Sequence, residues 1–306
     1  MTPWPIIPAD VVDWFREVFS EANRRTCERL VNVPNIRETS LDDGFIESLI
    51  PDTAPHLLLS GAIVRMDAHN IGGLRRLGWP PWDFPNPQRW ETADIAILVF
   101  VYRKETLVAK KIGLLQSKRL YPKNNDVEDA DELGFRLGMN AFIRKDGIQA
   151  IGALHRNFDF DADCTYGAIQ ASSEQTKSID TLNSKFGSII YYLLYNPHVL
   201  PLRISYPIVE RIRVQKTQIG CRVVEASKVH AALAGIGDNQ SPSFQKILDT
   251  SNGGNWPLET WAADLLLTCK VGQQFDDSRD QDVNYFLERR SGPIGAALAV
   301  SIVLPD

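Results

Sequence analysis

The sequence has few of the features typical of secreted proteins, of proteins stabilised by structural metal ions, or of membrane proteins. Its four cysteines, Cys27, Cys164, Cys221 and Cys269, lie far apart and none belongs to a CxxC pair. A zinc site or a disulfide framework is therefore not predicted, and we expect a reducing, cytoplasmic setting. No basic stretch followed by an apolar run opens the chain, so we expect no signal peptide.

Long hydrophobic runs are also missing. The longest apolar stretch, residues 293–305, is too short to cross a bilayer as a helix. It predicts a buried strand instead, and no membrane partner is expected.

Sequence motifs of several enzyme classes do not occur. There is no GxxxxGK[ST] sequence, and no serine lies in a GxSxG context, which argues against ATP hydrolysis and against a serine hydrolase triad. The five histidines form no HExxH or i,i+4 pair. Residues 159–163 resemble the start of a calcium loop, but Cys164 stands where the loop needs glycine and Gln170 where it needs glutamate. A polar loop is predicted there.

What the chain does contain is typical of a globular α/β protein. Its 306 residues, 44% hydrophobic and 23% charged, are enough for a sizeable core. Periodicity predicts helices at residues 9–30, 129–140, 173–186, 226–234, 243–248, 257–269 and 280–289, and one from Thr39 or Ser40 to Pro51. Strands are predicted at residues 56–66, 93–102, 107–117, 188–195 and 294–304, some strand alternation at 203–214, and a proline-rich loop at 78–90. With no repeat or linker, residues 1–306 are interpreted as a single domain.

The most informative stretch is residues 91–120, where a polar turn at 103–106 joins two apolar strands. Asp94 begins the first strand, while Gln116 and Lys118 stand near the end of the second. In an antiparallel pair those two ends are neighbours. Gln116 and Lys118 share one face because side chains two apart point the same way. We expect that face to be polar where the strand meets solvent, with the core taking Ile112, Leu114 and Leu115.

Asp94 followed by Gln116-Ser117-Lys118 resembles the PD-(D/E)xK restriction-endonuclease-like nucleases, in the QxK variant carried by Mrr-type enzymes. The resemblance implies a restriction-endonuclease-like core, with a mixed central sheet flanked by helices. This core would span about residues 38–195, and 196–306 would elaborate it. It also implies a further carboxylate from a helix before the hairpin, for which Glu38 is the candidate and Glu47 the reserve.

By the same resemblance the chain is expected to be a metal-dependent endonuclease that hydrolyses DNA phosphodiester bonds, with bacterial defence against foreign DNA as its setting. Mg²⁺, or Mn²⁺ in its place, would be held by Glu38, Glu91, Asp94 and Gln116. Lys118 would orient or help deprotonate the attacking water and neutralise the transition state. These oxygen ligands suit Mg²⁺, which lowers the pKa of water and offsets the phosphate charge.

The net charge of −5 does not argue against DNA as a partner, because binding depends on where the basic groups cluster. Such groups are Arg75-Arg76, Lys110-Lys111, Lys118-Arg119 with Lys123, and Arg211, Arg213 and Lys216. Arg211 and Arg213 are predicted to alternate on one strand face, as a phosphate-contacting strip would, although a solvated edge strand fits equally.

Alternatives to a nuclease stay open at this point. No sequence-reading module is visible, so specificity would come from a protein partner, from a homo-oligomer, or from a DNA feature such as a modification or an end. A non-catalytic nucleic-acid-binding or assembly subunit with the same fold is one alternative. An unrelated small-molecule enzyme is another, in which Asp94 would cap a turn and Lys118 would be an ordinary surface lysine.

Overall fold

The computed structural model describes residues 3–50, 54–70, 93–123, 156–167, 169–206, 208–277 and 294–305. Several predicted features lie outside these residues: the loop at 78–90, the helices at 129–140 and 280–289, the pair Arg75-Arg76, and Glu91.

The described chain contains both helices and strands. The α-helices are α1 (Ala9–Asn32), α2 (Glu38–Ser48), α3 (Glu174–Phe186), α4 (Ala226–Leu233) and α5 (Phe244–Thr250), and Thr260–Leu266 forms a π-helix. The strands are β1 (His56–Leu57), β2 (Ile63–Asn70), β3 (Ala93–Arg103), β4 (Thr106–Arg119), β5 (Arg156–Phe160), β6 (Ile190–Tyr195), β7 (Leu202–Tyr206), β8 (Arg222–Glu225), β9 (Asn255–Pro257), β10 (Gln273–Gln274) and β11 (Ile294–Leu304).

One mixed sheet organises the described residues. Its strand order is β1-β2-β11-β3-β4-β6-β8-β9, with β10 added to β4, while β5 and β7 form a separate pair. The β3–β4 pair is antiparallel, as predicted, but β3 runs parallel to β11 and β4 parallel to β6. The central strands β3, β4 and β6 therefore have hydrogen-bonded neighbours along both edges.

Alternate tyrosines of β6 show that helices cover both faces of this sheet. The hydroxyl of Tyr195 donates to Asp42 of α2, and the ring of Tyr191 packs edge-on against Trp261 of the π-helix. Tyr192, which points the opposite way, forms a hydrogen bond with His230 of α4. The expected mixed central sheet flanked by helices is therefore confirmed in this coarse form.

Close packing over β4 depends on a glycine. A Cβ atom at Gly113 would lie 3.2 Å from the Trp261 ring and 3.0 Å from Leu266. The missing side chain thus lets the π-helix lie directly on the strand. Trp261 and Leu266 are fully buried there.

Some predicted elements are wrong in detail. Residues 56–66 form two strands joined by a turn, in which Gly61 has a φ of +83°. Strand β7 ends at Tyr206, and the described residues 208–217 have no regular structure because the carbonyls of Ile212 and Val214 bond to side chains of α1 instead. No helix of the described residues is long and apolar enough to span a membrane.

Candidate functional site

The start of β3, the end of β4 and the start of α2 meet at one place. Oδ2 of Asp94 accepts three hydrogen bonds, from Gln116 Nε2 at 2.5 Å, from the Ser117 backbone N–H at 2.7 Å and from Ser117 Oγ at 2.9 Å. All three are on Oδ2, and among the described residues none reaches Oδ1. The predicted neighbourhood of Asp94 and Gln116 is therefore present in the structure.

Glu38, the first residue of α2, also contacts the end of β4. Its Oε1 lies 3.0 Å from Lys118 Nζ, and its Oε2 accepts the Arg119 backbone N–H at 3.0 Å. The structure thus brings Glu38, Asp94, Gln116 and Lys118 together. The expected solvent-facing position of Gln116 and Lys118 is wrong: both are almost fully buried, because α2 and α3 cover the end of the strand.

Arg119 fixes the chain where it enters α2. Its guanidinium donates to the carbonyls of Ile36 and Pro34, the second at 2.6 Å, and lies 4.4 Å from the centre of the Tyr121 ring. The Arg119 side chain thus holds the turn before Glu38, while the Arg119 backbone N–H binds the Glu38 carboxylate itself. Arg119 therefore positions Glu38 in two ways. The side chain is 1% exposed.

Asp42, which was not among the residues predicted from the sequence, belongs to the same acidic cluster. Asp42 lies four residues after Glu38, hence on the same face of α2. It is buried, and its Oδ1 accepts from the Tyr195 hydroxyl at 2.7 Å. The i,i+4 spacing of the two acids was the signal that could have found it. Glu47, the reserve candidate, lies nine residues after Glu38, half a turn round the helix, and has no hydrogen bond to these residues.

The acids of the cluster interact electrostatically. Burial raises the pKa of Glu38, opposed by Lys118 and reinforced by Asp94. Burial and the charge of Asp94 raise the pKa of Asp42 well above its ordinary value. Burial alone would lower the pKa of Lys118, but the carboxylates of Glu38, Asp94 and Asp42 raise it above its ordinary value. The site therefore concentrates negative charge around one buried ammonium group.

A second residue was also missed. Gln175, in the first turn of α3, donates from Nε2 to Gln116 Oε1 at 3.0 Å. Helix α3 begins here because the Ser173 side chain accepts the Thr176 backbone N–H at 3.1 Å and caps the helix. No spacing in the sequence connects Gln175 to Gln116, since 59 residues separate them.

The donor set fits a divalent cation in its chemistry. Mg²⁺ takes oxygen ligands, usually one or two carboxylates, and keeps several waters. Among the described residues no donor reaches Oδ1 of Asp94, and Glu38 supplies a second carboxylate. Gln116 contacts Asp94 through its amide nitrogen, so its oxygen would reach the same place only after the amide rotates. Among the described residues, no group of three His, Cys, Asp or Glu side chains is arranged to hold a metal ion. Gln116 would therefore complete the ligand set, while Glu91 lies outside the described residues.

The predicted basic clusters do not form one surface at the site. Lys110 pairs with Asp277, and Lys111 is fully buried against the Trp4 ring, so that the pair is not a surface patch. Arg211 and Arg213 are exposed but stand on irregular chain, so the predicted alternation on a strand is wrong. Lys123 pairs with Asp161 of the predicted polar loop, at 2.5 Å.

Comparisons of the chain with protein-family models, curated proteins and solved structures find no match. The nuclease resemblance therefore rests on Asp94, Gln116, Lys118 and Glu38 and on how the fold places them.

Proposed function

We propose that this chain is a metal-dependent nuclease that hydrolyses DNA phosphodiester bonds at the site formed by Glu38, Asp94, Gln116 and Lys118. One observation carries the proposal: the four side chains chosen from the sequence form two contacts at the end of β4, Asp94 with Gln116 at 2.5 Å and Glu38 with Lys118 at 3.0 Å. The two pairs are close enough that the charge of Asp94 acts on both Glu38 and Lys118. The core is proposed to be restriction-endonuclease-like.

The residues would divide the chemistry between them. Asp94, Gln116 and Glu38 would hold Mg²⁺ or Mn²⁺, which when bound lowers the pKa of water and offsets phosphate charge. Lys118 keeps its proton beside three carboxylates, so it acts as a cation that orients the nucleophile and stabilises charge developing on the phosphate, rather than as a base. Asp42 is not needed as a ligand: it lies on the same face of α2 as Glu38, and its pKa is raised by burial and by the charge of Asp94.

One observation favours a second candidate, nucleic-acid binding without catalysis. Both oxygens of Glu38 and one oxygen of Asp94 are already satisfied by protein donors, so the cluster is self-sufficient without a cation. A non-catalytic relative would keep such a network for stability. It would bind DNA equally well after Asp94→Ala, with or without metal.

The deciding experiment is cleavage of supercoiled and linear DNA by the purified full chain with Mg²⁺ or Mn²⁺, beside EDTA. Asp94→Ala and Lys118→Ala should each reduce cutting by about 100-fold or more. Glu47→Gln is the matched control for Glu38→Gln, because both acids belong to α2 and only Glu38 contacts the site. Cutting that survives the Asp94 and Lys118 substitutions would place the chemistry elsewhere, and DNA binding without cutting would favour the second candidate.

A further inference from the structure

The side chains of Gln175, Gln116 and Asp94 are linked by two hydrogen bonds that run in the same donor-to-acceptor direction. Gln175 Nε2 donates to Gln116 Oε1 at 3.0 Å, and Gln116 Nε2 donates to Asp94 Oδ2 at 2.5 Å. Each amide has one donor end and one acceptor end, so the orientation of Gln175 fixes that of Gln116. As the chain stands, Gln116 presents its N–H group to Asp94.

That orientation suits a carboxylate without a cation. A cation held by Asp94 needs the oxygen of Gln116, not its nitrogen. Rotating the Gln116 amide by half a turn exchanges its two ends, and its nitrogen then faces residue 175. The partner at 175 must therefore donate in one state and accept in the other. Glutamine can do both, whereas a carboxylate can only accept and an ammonium can only donate.

We infer that Gln175 is a positioning residue that switches the Gln116 amide between a donor orientation without cation and an oxygen-forward orientation with cation. This inference rests on the proposed cation site. Gln175 is half-buried in the capped first turn of α3, which fixes its backbone beside Gln116. The two amides rotate together, which keeps Gln116 satisfied in either state at the buried end of β4.

Gln175→Glu tests the switch, because a carboxylate at 175 only accepts and so holds Gln116 with its oxygen towards Asp94. We expect Mn²⁺ to bind the full-length variant about threefold to tenfold more tightly than the wild type, as judged by calorimetry, since one hydrogen bond no longer has to be exchanged. The same substitution in a Gln116→Glu background is the control for added charge. Residue 116 then has no N–H to offer, so any tightening in this background measures the added charge alone, and we expect it to be smaller than with Gln116 present.

Side-chain amide signals in ¹⁵N–¹H spectra give a second readout in the unmutated chain. Adding Mg²⁺ should shift the Gln116 and Gln175 NH₂ signals together, and metal-free Gln175→Glu should already show the Gln116 signals near their cation-bound positions. Equal tightening in both backgrounds would overturn the role of Gln175. So would amide signals that do not move on adding Mg²⁺, provided that the wild type binds Mn²⁺ and Asp94→Asn does not. Either result would leave the cation site itself standing. A wild type that binds neither Mn²⁺ nor Mg²⁺ would overturn the cation site itself.

Discussion

Lys118 and Glu38 form an ion pair, 3.0 Å between Nζ and Oε1, that joins the end of β4 to the first residue of α2. The lysine side chain is 5% exposed and that of Glu38 24%. A charge buried this deeply needs an opposite charge beside it, because only their attraction offsets the free energy lost when the ammonium group leaves water. The pair is therefore both part of the candidate chemistry and a structural link between helix and sheet.

The effects of removing the two members of this pair should not be additive. Lys118→Met or Glu38→Gln alone is expected to lower the free energy of unfolding by about 2–4 kcal/mol, because each leaves the remaining charge without its ion-pair partner. The double variant should fall short of the sum by about 1–3 kcal/mol. Urea unfolding measures all three. Lys177→Met, which breaks a surface pair with Glu174, is the control, expected to change stability by about 0.5 kcal/mol or less. Strict additivity would contradict the coupling.

Asp42 is expected to reduce the stability of the metal-free protein at neutral and higher pH. Its pKa is raised in the folded state, so the folded protein keeps a proton that the unfolded chain releases above about 3.8. Stability is therefore lost as pH rises through that value until the folded pKa is reached. Asp42→Asn should be more stable than wild type by about 1–3 kcal/mol at pH 8, and the difference should nearly vanish at pH 4.

This pH dependence is measured by urea unfolding in EDTA at several pH values. Asparagine can still accept from the Tyr195 hydroxyl, so the comparison isolates the charge. Destabilisation by Asp42→Asn at pH 8 would mean that the acid is charged and paired in the folded state. Acids that cost stability in this way are typical of functional sites.

Replacing Arg119 with lysine should destabilise the folded protein. Its planar guanidinium donates to two carbonyls of the turn before α2 at once, and an ammonium cannot reach both. Arg119→Lys is expected to lower the free energy of unfolding by about 2–4 kcal/mol. Arg203→Lys is the matched control: that arginine is 69% exposed in an ion pair with Asp159, and a change of about 0.5 kcal/mol or less is expected. Equal losses of stability at the two positions would contradict the conclusion that the Arg119 guanidinium holds the turn before Glu38.

The sequence predicted the parts of the fold that depend on local pattern. The hairpin of β3 and β4 followed from two apolar runs around a polar turn, where Lys104 has a φ of +53°. Antiparallel pairing then brought Asp94 beside Gln116. Long-range pairing was not predictable in this way. Nothing local indicates that β11 inserts between β2 and β3, or that short strands such as β8 extend the sheet.

The candidate site was predictable to the same degree. Glu38 was chosen for its place before the hairpin, and Asp42 could have been chosen too, because helical spacing places it on the same face. Gln175 could not, since its contact with Gln116 depends on how α3 crosses the sheet. The burial of Lys118 was also missed, because a lysine near a strand end normally indicates solvent and only the packing of α2 excludes it here.

Cation binding should be visible as a pH-dependent gain in stability. A ligand that binds only the folded state at about 100 times its Kd raises the free energy of unfolding by about 2.7 kcal/mol. Because the raised pKa values of Glu38 and Asp42 make protons compete with the cation, the gain from Mg²⁺ or Mn²⁺ should be larger at pH 8 than at pH 6. Thermal unfolding with cation and with EDTA measures it. Asp94→Asn should abolish the gain and Glu47→Gln should keep it. A gain that persists in Asp94→Asn, or that grows as pH falls, would mean that cations bind elsewhere on the chain.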